Sequence, residues 1–367
     1  MGCIDPKVNL LEVLLMRCRW LIAAVTVLGL CSLCAGADEP PRGLDIYFID
    51  TEGGAATLLV TPAGESVLID CGNPGARDAE RIHKIATQAA GLKAIDHLVI
   101  THWHSDHYGG VANLVKLLPI HNYYDHGIPE KLTEDPKNFP LLIQAYKSAS
   151  KEKSKMLKPG DEITLKQKDG APALRLFCVC GSGEVIPDKR GAPENALAKD
   201  HKPKDEDKTD NAKSLGFILS YGNFRFLDLG DLTWNIEHKL VAPTDKIGLV
   251  DVYQVTHHGQ ESSNNPVLVK TVQPRVAICN NGARKGGHAS VISTLRRVEG
   301  IQAIYQLHRN VTAAAQDNTD PEFIANPDEK CQGEHIKLTV AADSKSYTVT
   351  VGSKGKPRKY ETRGSAK

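Results

Sequence analysis

The sequence predicts a layered α/β (α+β) fold built from two β-sheets. Two observations carry this prediction: short apolar runs bounded by turn residues come first, and strands mixed with helices follow before strands return near the carboxyl end. This order of elements is typical of layered α/β architectures. A chain of 367 residues with 41% hydrophobic residues is large enough for a sizeable core.

The first predicted elements form an antiparallel meander. Apolar runs at 44–50, 55–61 and 65–70 are separated by the tripeptides EGG and PAG, which are turn signals. A helix ending at Gly91 follows, and the apolar strand 97–101 comes next. That strand leads directly into the histidine cluster described below.

The middle of the chain is less regular. Cys178 and Cys180 lie two residues apart in an apolar run, which predicts core thiols on the same side of a strand. The segment 187–210 is crowded with charge and has almost no large apolar residue, so we predict a mobile insertion. Regular elements return in 214–231, where Tyr221-Gly222-Asn223 predicts a hairpin.

Residues 1–37 are predicted to be a secretory signal peptide, and Met16 is the expected start. Two arginines precede an apolar stretch, and small residues at 35–37 form a cleavage pattern. The apolar stretch is shorter than the roughly 20 residues of a membrane-spanning helix. Lipidation at Cys31 or Cys34 is the alternative. We therefore expect a secreted or periplasmic protein with no membrane attachment after leader cleavage.

The expected organisation of the remainder is a linker at 38–43, one domain at 44–352 and a flexible tail at 353–367. With 45 Lys and Arg against 44 Asp and Glu, the overall charge does not indicate a nucleic-acid or membrane partner, and no stable protein partner is implied. The cysteines beyond the leader are few and widely spaced, which excludes a dense disulfide framework. They are Cys71, Cys178, Cys180, Cys279 and Cys331.

The stretch VITHWHSDHYGG, residues 99–110, concentrates histidine and aspartate behind a strand. His102 and His104 lie two apart at the strand end, so their side chains can converge on one cation. A turn just afterwards can direct Asp106 and His107 towards a second position. Imidazole and carboxylate suit zinc, and also manganese or iron, whereas a closed structural cysteine site is disfavoured.

Two distant stretches offer further ligands at strand ends. FLDLGDL carries Asp231 in a Gly-Asp turn, and VYQVTHHGQESS carries His257 and His258 directly after an apolar strand. A carboxylate between two cations can bridge them, and a hydroxide held there is a nucleophile near neutral pH. These stretches therefore predict a centre that binds two metal ions.

The pattern H-x-H-x-D-H behind a strand, then Gly-Asp, then a strand ending in His-His-Gly, resembles the metallo-β-lactamase superfamily over about 44–351. The combination of FIDTEGGAATLLVTPAGESVLIDCG, THWHSDHYGG, FRFLDLGD and VTHHGQESS is similar to the hydrolase domain of ComEC-type competence proteins. The resemblance implies an αββα sandwich, in which two mixed β-sheets are flanked by helices. It also implies two divalent metal ions, zinc or alternatively manganese.

The resemblance implies the following metal ligands: His102 and His104 for the first ion, Asp106 and His107 for the second, and Asp231 bridging the two. We expect His257 to complete the second position because it comes first off its strand. His258 would then support the ligands or face the substrate.

One position departs from the superfamily pattern. Most active members supply a further histidine to the first metal before the bridging aspartate, and here the matching residue is Asn211. An asparagine in DNAKSL is typical of the competence-type branch, and an amide oxygen is a poorer zinc ligand than imidazole. His126 or His201 could supply an imidazole from another loop, although each is also explained as an ordinary exposed histidine.

Three further residues have expected roles around the metals. His288, in NNGARKGGHAS, would contact the substrate or protonate the leaving group, and with Asp106 it is an expected catalytic residue. Lys285 would receive an anionic group near the following helix, although a turn with exposed side chains explains this stretch equally well. Asp70 would orient His102 or His107, or else cap a turn.

The sequence therefore predicts a secreted hydrolase in which metal-bound hydroxide attacks an electrophilic phosphorus or carbonyl centre. The resemblance implies that the substrate is a small-molecule or nucleic-acid phosphodiester, or a similar ester. A second interpretation is hydrolysis of a β-lactam, lactone or thioester. A third is a catalytically weak binding or accessory member, because Asn211 leaves the first metal under-supplied.

Overall fold

This computed structural model describes Gly2 and residues 42–364, and every element given below belongs to the unit Gly43–Lys367. The predicted leader, with Met16 and the alternative lipidation sites, lies outside the described residues. Within the described part of the chain, no helix combines the length and the apolar character needed to cross a bilayer.

The first sheet contains nine strands. They are β1 Leu44–Phe48, β2 Thr57–Val60, β3 Ser66–Ile69, β4 Ile95–Val99, β5 Ile120–Asp125, β6 Lys155–Met156, β16 Ile336–Val340, β17 Ser346–Val351 and β18 Arg358–Glu361. Their order is β18-β17-β16-β1-β2-β3-β4-β5-β6. The strands β1, β2 and β3 form the predicted antiparallel meander, and β3 to β6 run parallel.

The second sheet also contains nine strands. They are β7 Glu162–Ile163, β8 Leu174–Gly181, β9 Glu184–Val185, β10 Gly216–Tyr221, β11 Phe224–Asp228, β12 Val252–Gln254, β13 Val276–Cys279, β14 Ala303–His308 and β15 Ile324–Asn326. Their order is β15-β14-β13-β12-β11-β10-β8-β7, and β9 pairs with β8. The predicted hairpin is β10–β11, and β11 to β15 run parallel.

Helices cover the outer face of each sheet. The α-helices are α1 Ala76–Lys84, α2 Ser105–Tyr108, α3 Val111–Leu117, α4 Phe139–Ser150, α5 Trp234–Lys239, α6 Pro266–Val272 and α7 Ala289–Arg296. A π-helical turn, Ile85–Ala89, continues α1, and short 3₁₀ turns include Ala198–Asp200, Asp210–Lys213, Thr256–Gly259, Ala315–Asp317 and Pro321–Phe323.

Three apolar layers hold these elements together. Phe48, Phe217 and Phe226 represent the layer between the two sheets, where residues of both sheets interdigitate. A second layer lies between the first sheet and α1, α3 and α4. A third lies between the second sheet and α6 and α7. The predicted αββα sandwich with two mixed sheets is confirmed.

Cys178 and Cys180 are both buried but belong to different layers. Cys178 lies in the layer between the sheets, and Cys180 lies in the layer beneath α6 and α7. The register of β8 against β10 shifts at this point, because Cys178 pairs with Phe217 while Cys180 pairs with Gly216. The bulge breaks the alternation of side chains, so the prediction that the two thiols share a side is wrong.

The charged segment 187–210 packs on the domain through polar contacts. The Asn195 side-chain amide donates to the Val241 carbonyl at 2.8 Å and to Thr271 at 2.9 Å. Farther along, the His201 ring stacks on His238 with centroids 3.7 Å apart. These hydrogen bonds and the ring contact replace the apolar burial that the segment lacks, and the mobility of the insertion stays a prediction.

The segment expected to be a flexible tail contains β18, which pairs antiparallel with β17. Tyr360 from this strand is buried between the sheets, and its hydroxyl lies 2.7 Å from that of Tyr305. Farther along, the Arg363 backbone N–H donates to Asp251 at 2.7 Å. The prediction of a tail from residue 353 is therefore wrong for this part of the chain.

The fold brings the predicted site stretches to the carboxyl ends of parallel strands. The histidine cluster follows β4, Asp231 follows β11, His257 and His258 follow β12, and Lys285 and His288 follow β13. Loops at this edge of a sheet carry function on a rigid scaffold.

Candidate metal centre

Asp70 and Thr101 form the base of the site beneath the histidine cluster. The Asp70 carboxylate lies 2.7 Å from His107 Nδ1, and it accepts hydrogen bonds from the Thr101 hydroxyl at 2.7 Å and the Thr101 N–H at 2.8 Å. The Thr101 hydroxyl also lies 3.1 Å from His102 Nδ1. These contacts fix both rings by their Nδ1 atoms, so that each Nε2 is directed towards the cluster.

His102 is completely buried, and its Nε2 atom has no hydrogen-bond partner. That atom lies 3.9 Å from Asp231 Oδ2, which is itself 3.2 Å from His107 Nε2. Burial, reinforced by the neighbouring His107, holds the pKa of His102 well below its ordinary value. A neutral buried imidazole with an unpartnered nitrogen fits a metal ligand.

A second group consists of Asp106, His107 and His258. The Nε2 atoms of His107 and His258 lie 3.2 Å apart, and Asp106 Oδ2 lies 3.5 Å from the first and 3.4 Å from the second. Asp231 Oδ2 lies 3.3 Å from His258 Nε2. Asp231 therefore contacts both groups, as expected for a bridging carboxylate.

The structure brings His258, rather than His257, into the group with Asp106. His257 Nε2 lies 3.4 Å from Asp231, and its Nδ1 faces the hydroxyls of Ser262 at 3.0 Å and Ser263 at 3.2 Å. Both histidines have left-handed backbone conformations, with φ of 55° and 53°. The expectation favoured His257 because it comes first off its strand, but the left-handed backbone at both residues means that this order does not decide which ring faces Asp106.

The first position is more open than the second. His104 Nε2 lies 3.3 Å from Glu134 Oε1 on the exposed side of the site, and the His102 and His104 rings have centroids 4.7 Å apart. Asn211 is buried in the Asp210–Lys213 turn, and its Oδ1 has no hydrogen-bond partner.

Asp210 fixes the turn that carries Asn211. Its Oδ2 accepts a hydrogen bond at 2.8 Å from the N–H of Trp103, the residue between His102 and His104. The same oxygen lies 2.9 Å from His126 Nε2. His126 is thus held by Asp210, and His201 packs on His238. Among the contacts of the described residues, neither histidine is paired with a candidate metal ligand, although the His126 ring lies 6.0 Å from the Trp103 ring.

Electrostatics at the centre favour positive charge. Burial would raise the pKa of Asp231 and Asp106, but His107 and His258 hold both pKa values well below the ordinary range, and Lys285 adds to this for Asp106. Burial opposes protonation of His107, yet Asp231, Asp70 and Asp106 raise its pKa well above the ordinary value. The buried carboxylates of Asp70 and Asp231 and the partly buried carboxylate of Asp106 therefore draw positive charge to this point.

Lys285 and His288 follow β13 on one turn. The Lys285 ammonium donates to Asp106 Oδ2, so this side chain reaches the second group directly. His288 precedes α7, and its Nδ1 lies 3.9 Å from Glu261 on the exposed rim. Its backbone N–H donates to the Gly259 carbonyl at 3.0 Å, which places the residue beside the His258 turn.

Sequence reasoning missed Thr101, Glu134 and Asp210. Thr101 lies between the strand β4 and the candidate ligand His102. Its hydroxyl at that position was the signal that could have predicted its contact with the His102 ring. Glu134 belongs to a polar stretch with no motif, and Asp210 opens the stretch DNAKSL, in which only Asn211 was assigned a role. Only the fold brings these two carboxylates to His104 and Trp103.

Residues 50–177 of the chain match the sequence model of the metallo-beta-lactamase superfamily. The chain contains a metallo-β-lactamase superfamily domain. It is 26% identical over 257 residues to Recombination protein 2 of Haemophilus influenzae, covering 68% of this chain and 26% of that protein. It is 26% identical over 212 residues to ComE operon protein 3 of Bacillus subtilis, covering 57% of this chain and 23% of that protein. Ribonuclease Z of Clostridium tetani is 35% identical over 79 residues, or 20% of this chain and 23% of that protein.

The chain spans about a quarter of the length of these relatives, 26%, 23% and 23%. The match to the superfamily model and the similarity to the two competence-type relatives confirm the predicted resemblance. Within the superfamily domain, the imidazole and carboxylate groups described above fit a divalent metal ion, because His102 offers an unpartnered nitrogen and three carboxylates supply negative charge.

Proposed function

We propose that this protein is an exported hydrolase of phosphodiesters that uses two metal ions. One observation carries the proposal: His102, His107 and Asp231 form one group, Asp106, His107 and His258 form another, and in each the candidate ligand atoms lie within 4.8 Å of one another. Two adjoining groups that share His107 and meet Asp231 support a dinuclear centre rather than a single structural ion.

The proposed first position uses His102, His104 and Asp231, with the Asn211 oxygen as a further donor. The proposed second position uses Asp106, His107, His258 and the bridging Asp231. When bound, the ions, zinc or alternatively manganese, would supply Lewis-acid polarisation of the substrate and activation of water.

The protein's own groups would prepare and orient this chemistry. Asp70 accepts from His107 Nδ1, which leaves Nε2 of that ring as a ligand atom. Lys285 would bind an anionic oxygen of the substrate beside Asp106. His288 would pass a proton to the leaving group, and its support is the 40% exposure of its side chain beside the His258 turn.

Two observations favour a phosphodiester over a carbonyl substrate. The ammonium of Lys285 at the centre suits an anionic phosphorus ester, and one relative is named a ribonuclease. Export is proposed from the basic, apolar and small-residue pattern within residues 1–37. The β-lactam, lactone and thioester alternatives rest on superfamily membership and export.

The test is a metal-supplemented activity panel with bis(p-nitrophenyl) phosphate, single-stranded DNA, a lactone and a β-lactam. We expect phosphodiester hydrolysis, and we expect Asp106→Ala and the isosteric Asp106→Asn to lose more than about 100-fold, beyond the ~10–100-fold that supporting residues typically cost. The exposed Asp205→Asn variant is the control. Equal activity of the Asp106 variants and the parent, with unchanged melting temperatures, would refute the assignment.

A second candidate function is that of a catalytically weak binding member. The observation in its favour is that His104 faces Glu134 and that an asparagine occupies position 211. Metal analysis of purified protein separates the candidates, because one ion or none per chain would contradict the two-metal hydrolase.

A further inference from the structure

The Lys285 ammonium contacts a carboxylate oxygen of the proposed second metal position. Its ammonium donates to Asp106 Oδ2. The same oxygen lies 3.4 Å from His258 Nε2 and 3.5 Å from His107 Nε2, so it is the oxygen turned towards both candidate imidazole ligands. A cation held by these three groups would lie against the ammonium.

The backbone around Lys285 is fixed by close packing on the His258 turn. Gly282 N–H donates to the Lys285 carbonyl at 2.8 Å, and Gly287 N–H donates to the His258 carbonyl at 2.7 Å. Gly286 has a φ of 77°, and a Cβ atom there would lie 2.0 Å from the His258 carbonyl oxygen. The turn therefore holds the lysine backbone against the candidate ligand loop.

The Lys285 side chain, by contrast, has room to move. It is 41% exposed, whereas Asp106 is 16% exposed. Its stem packs along Gly53, where an added Cβ would lie 3.0 Å from Lys285 Cβ, and its ammonium end reaches the partly exposed Asp106. The ammonium can leave Asp106 for solvent by rotation of its own side chain, without movement of the turn.

We propose that Lys285 is an internal counter-cation of the second metal position. Its ammonium neutralises Asp106 when no ion is bound, and it is displaced when an ion binds, because like charges in a poorly solvated site repel. The displaced ammonium then lies at the edge of the centre, where it meets the anionic substrate. Metal binding and substrate capture are thus coupled through one side chain. This inference rests on the proposed function.

If Lys285 is a counter-cation, removing its ammonium should have opposite effects on two properties, the stability of the metal-free fold and the affinity for the second ion. Removing the ammonium leaves Asp106 without its counter-charge, which destabilises the metal-free fold. It also removes the competitor, which strengthens binding of the second ion. A lysine with a merely structural role would change the first property and leave the second unchanged or weakened.

The experiment compares the full-length parent, Lys285→Met and Lys285→Arg by calorimetric titration with Co²⁺ or Zn²⁺ and by thermal unfolding without metal. The matched control is Lys337→Met, which removes a lysine of 33% exposure paired at 3.2 Å with Asp45, of 12% exposure, on the first sheet. We expect Lys285→Met to bind the second ion about tenfold more tightly, within the usual range of coupling between sites, and to melt at a lower temperature without metal. Lys285→Arg and Lys337→Met should bind the ions as the parent does.

Unchanged or weaker binding of the second ion by Lys285→Met would overturn the proposal. If the parent binds no metal ion, both this inference and the proposed function fail. If the parent binds two ions and hydrolyses phosphodiesters, but Lys285→Met gains no affinity, only the counter-cation role fails.

Discussion

The two proposed metal positions differ in how completely the fold prepares them. In the second, His107 and His258 are completely buried with Nε2 atoms 3.2 Å apart, and Asp106 lies beside both. In the first, His102 Nε2 is 3.9 Å from Asp231, and His104 faces Glu134 at 3.3 Å. A preorganised set of ligands loses less conformational entropy on binding, so the second position should fill first.

The largest expected effect tests which histidine completes the second position. We expect His258→Ala to lose the second ion and more than about 100-fold of the phosphodiesterase activity, because it removes a buried ligand atom. His257→Ala is the matched neighbour and should lose about tenfold or less, as supporting residues do. Metal content and kcat/KM are the measurements. The reverse ranking would restore His257 as the ligand.

A smaller effect tests the open first position. Asn211→His should bind the first ion about tenfold more tightly, because imidazole is a better zinc ligand than an amide oxygen. Stepwise metal titration measures this affinity, and Asn211→Ala is the control that removes the amide without adding a ligand. If Asn211→His binds the first ion no more tightly than the parent, residue 211 does not face that position.

The smallest expected effect concerns Glu237 and the pH dependence of the free energy of unfolding, which can be measured separately from metal binding. Glu237 lies behind the loop that supplies His258 and accepts the Asn265 N–H at 2.8 Å. Burial raises its pKa from 4.5 to about 7. Because the folded state binds this proton more tightly than the unfolded state, Glu237 lowers the free energy of unfolding as the pH rises from about 4.5 to 7.

Glu237→Gln should therefore remove the decline in the free energy of unfolding that the raised pKa of Glu237 causes. Its free energy of unfolding relative to the parent should increase between pH 4.5 and pH 8 by at most about 3 kcal/mol, from about 1.4 kcal/mol for each pKa unit. Denaturant unfolding at several pH values measures the difference, with the exposed Glu206→Gln variant as control. A difference that stays constant over this pH range would contradict the raised pKa.

Much of the fold was predictable because its signals are local. The meander of β1 to β3 and the β10–β11 hairpin follow from apolar runs separated by turn residues. The packing of the segment 187–210 was not predictable, because it consists of hydrogen bonds and a ring stack, which composition does not report. The strand β18 was missed because its short run RKYE buries only Tyr360 among its four side chains.

The sequence by itself determined the chemistry available to this protein. It supplied imidazole and carboxylate side chains directly after apolar strands, and that spacing is enough to predict a metal centre. Only the tertiary structure decided which atoms meet. Two left-handed residues turn His258 inward, Asp70 and Thr101 orient the rings, and a glycine turn carries Lys285 to Asp106. These outcomes depend on backbone torsions and on contacts between distant segments, which the residue spacing along a chain does not specify.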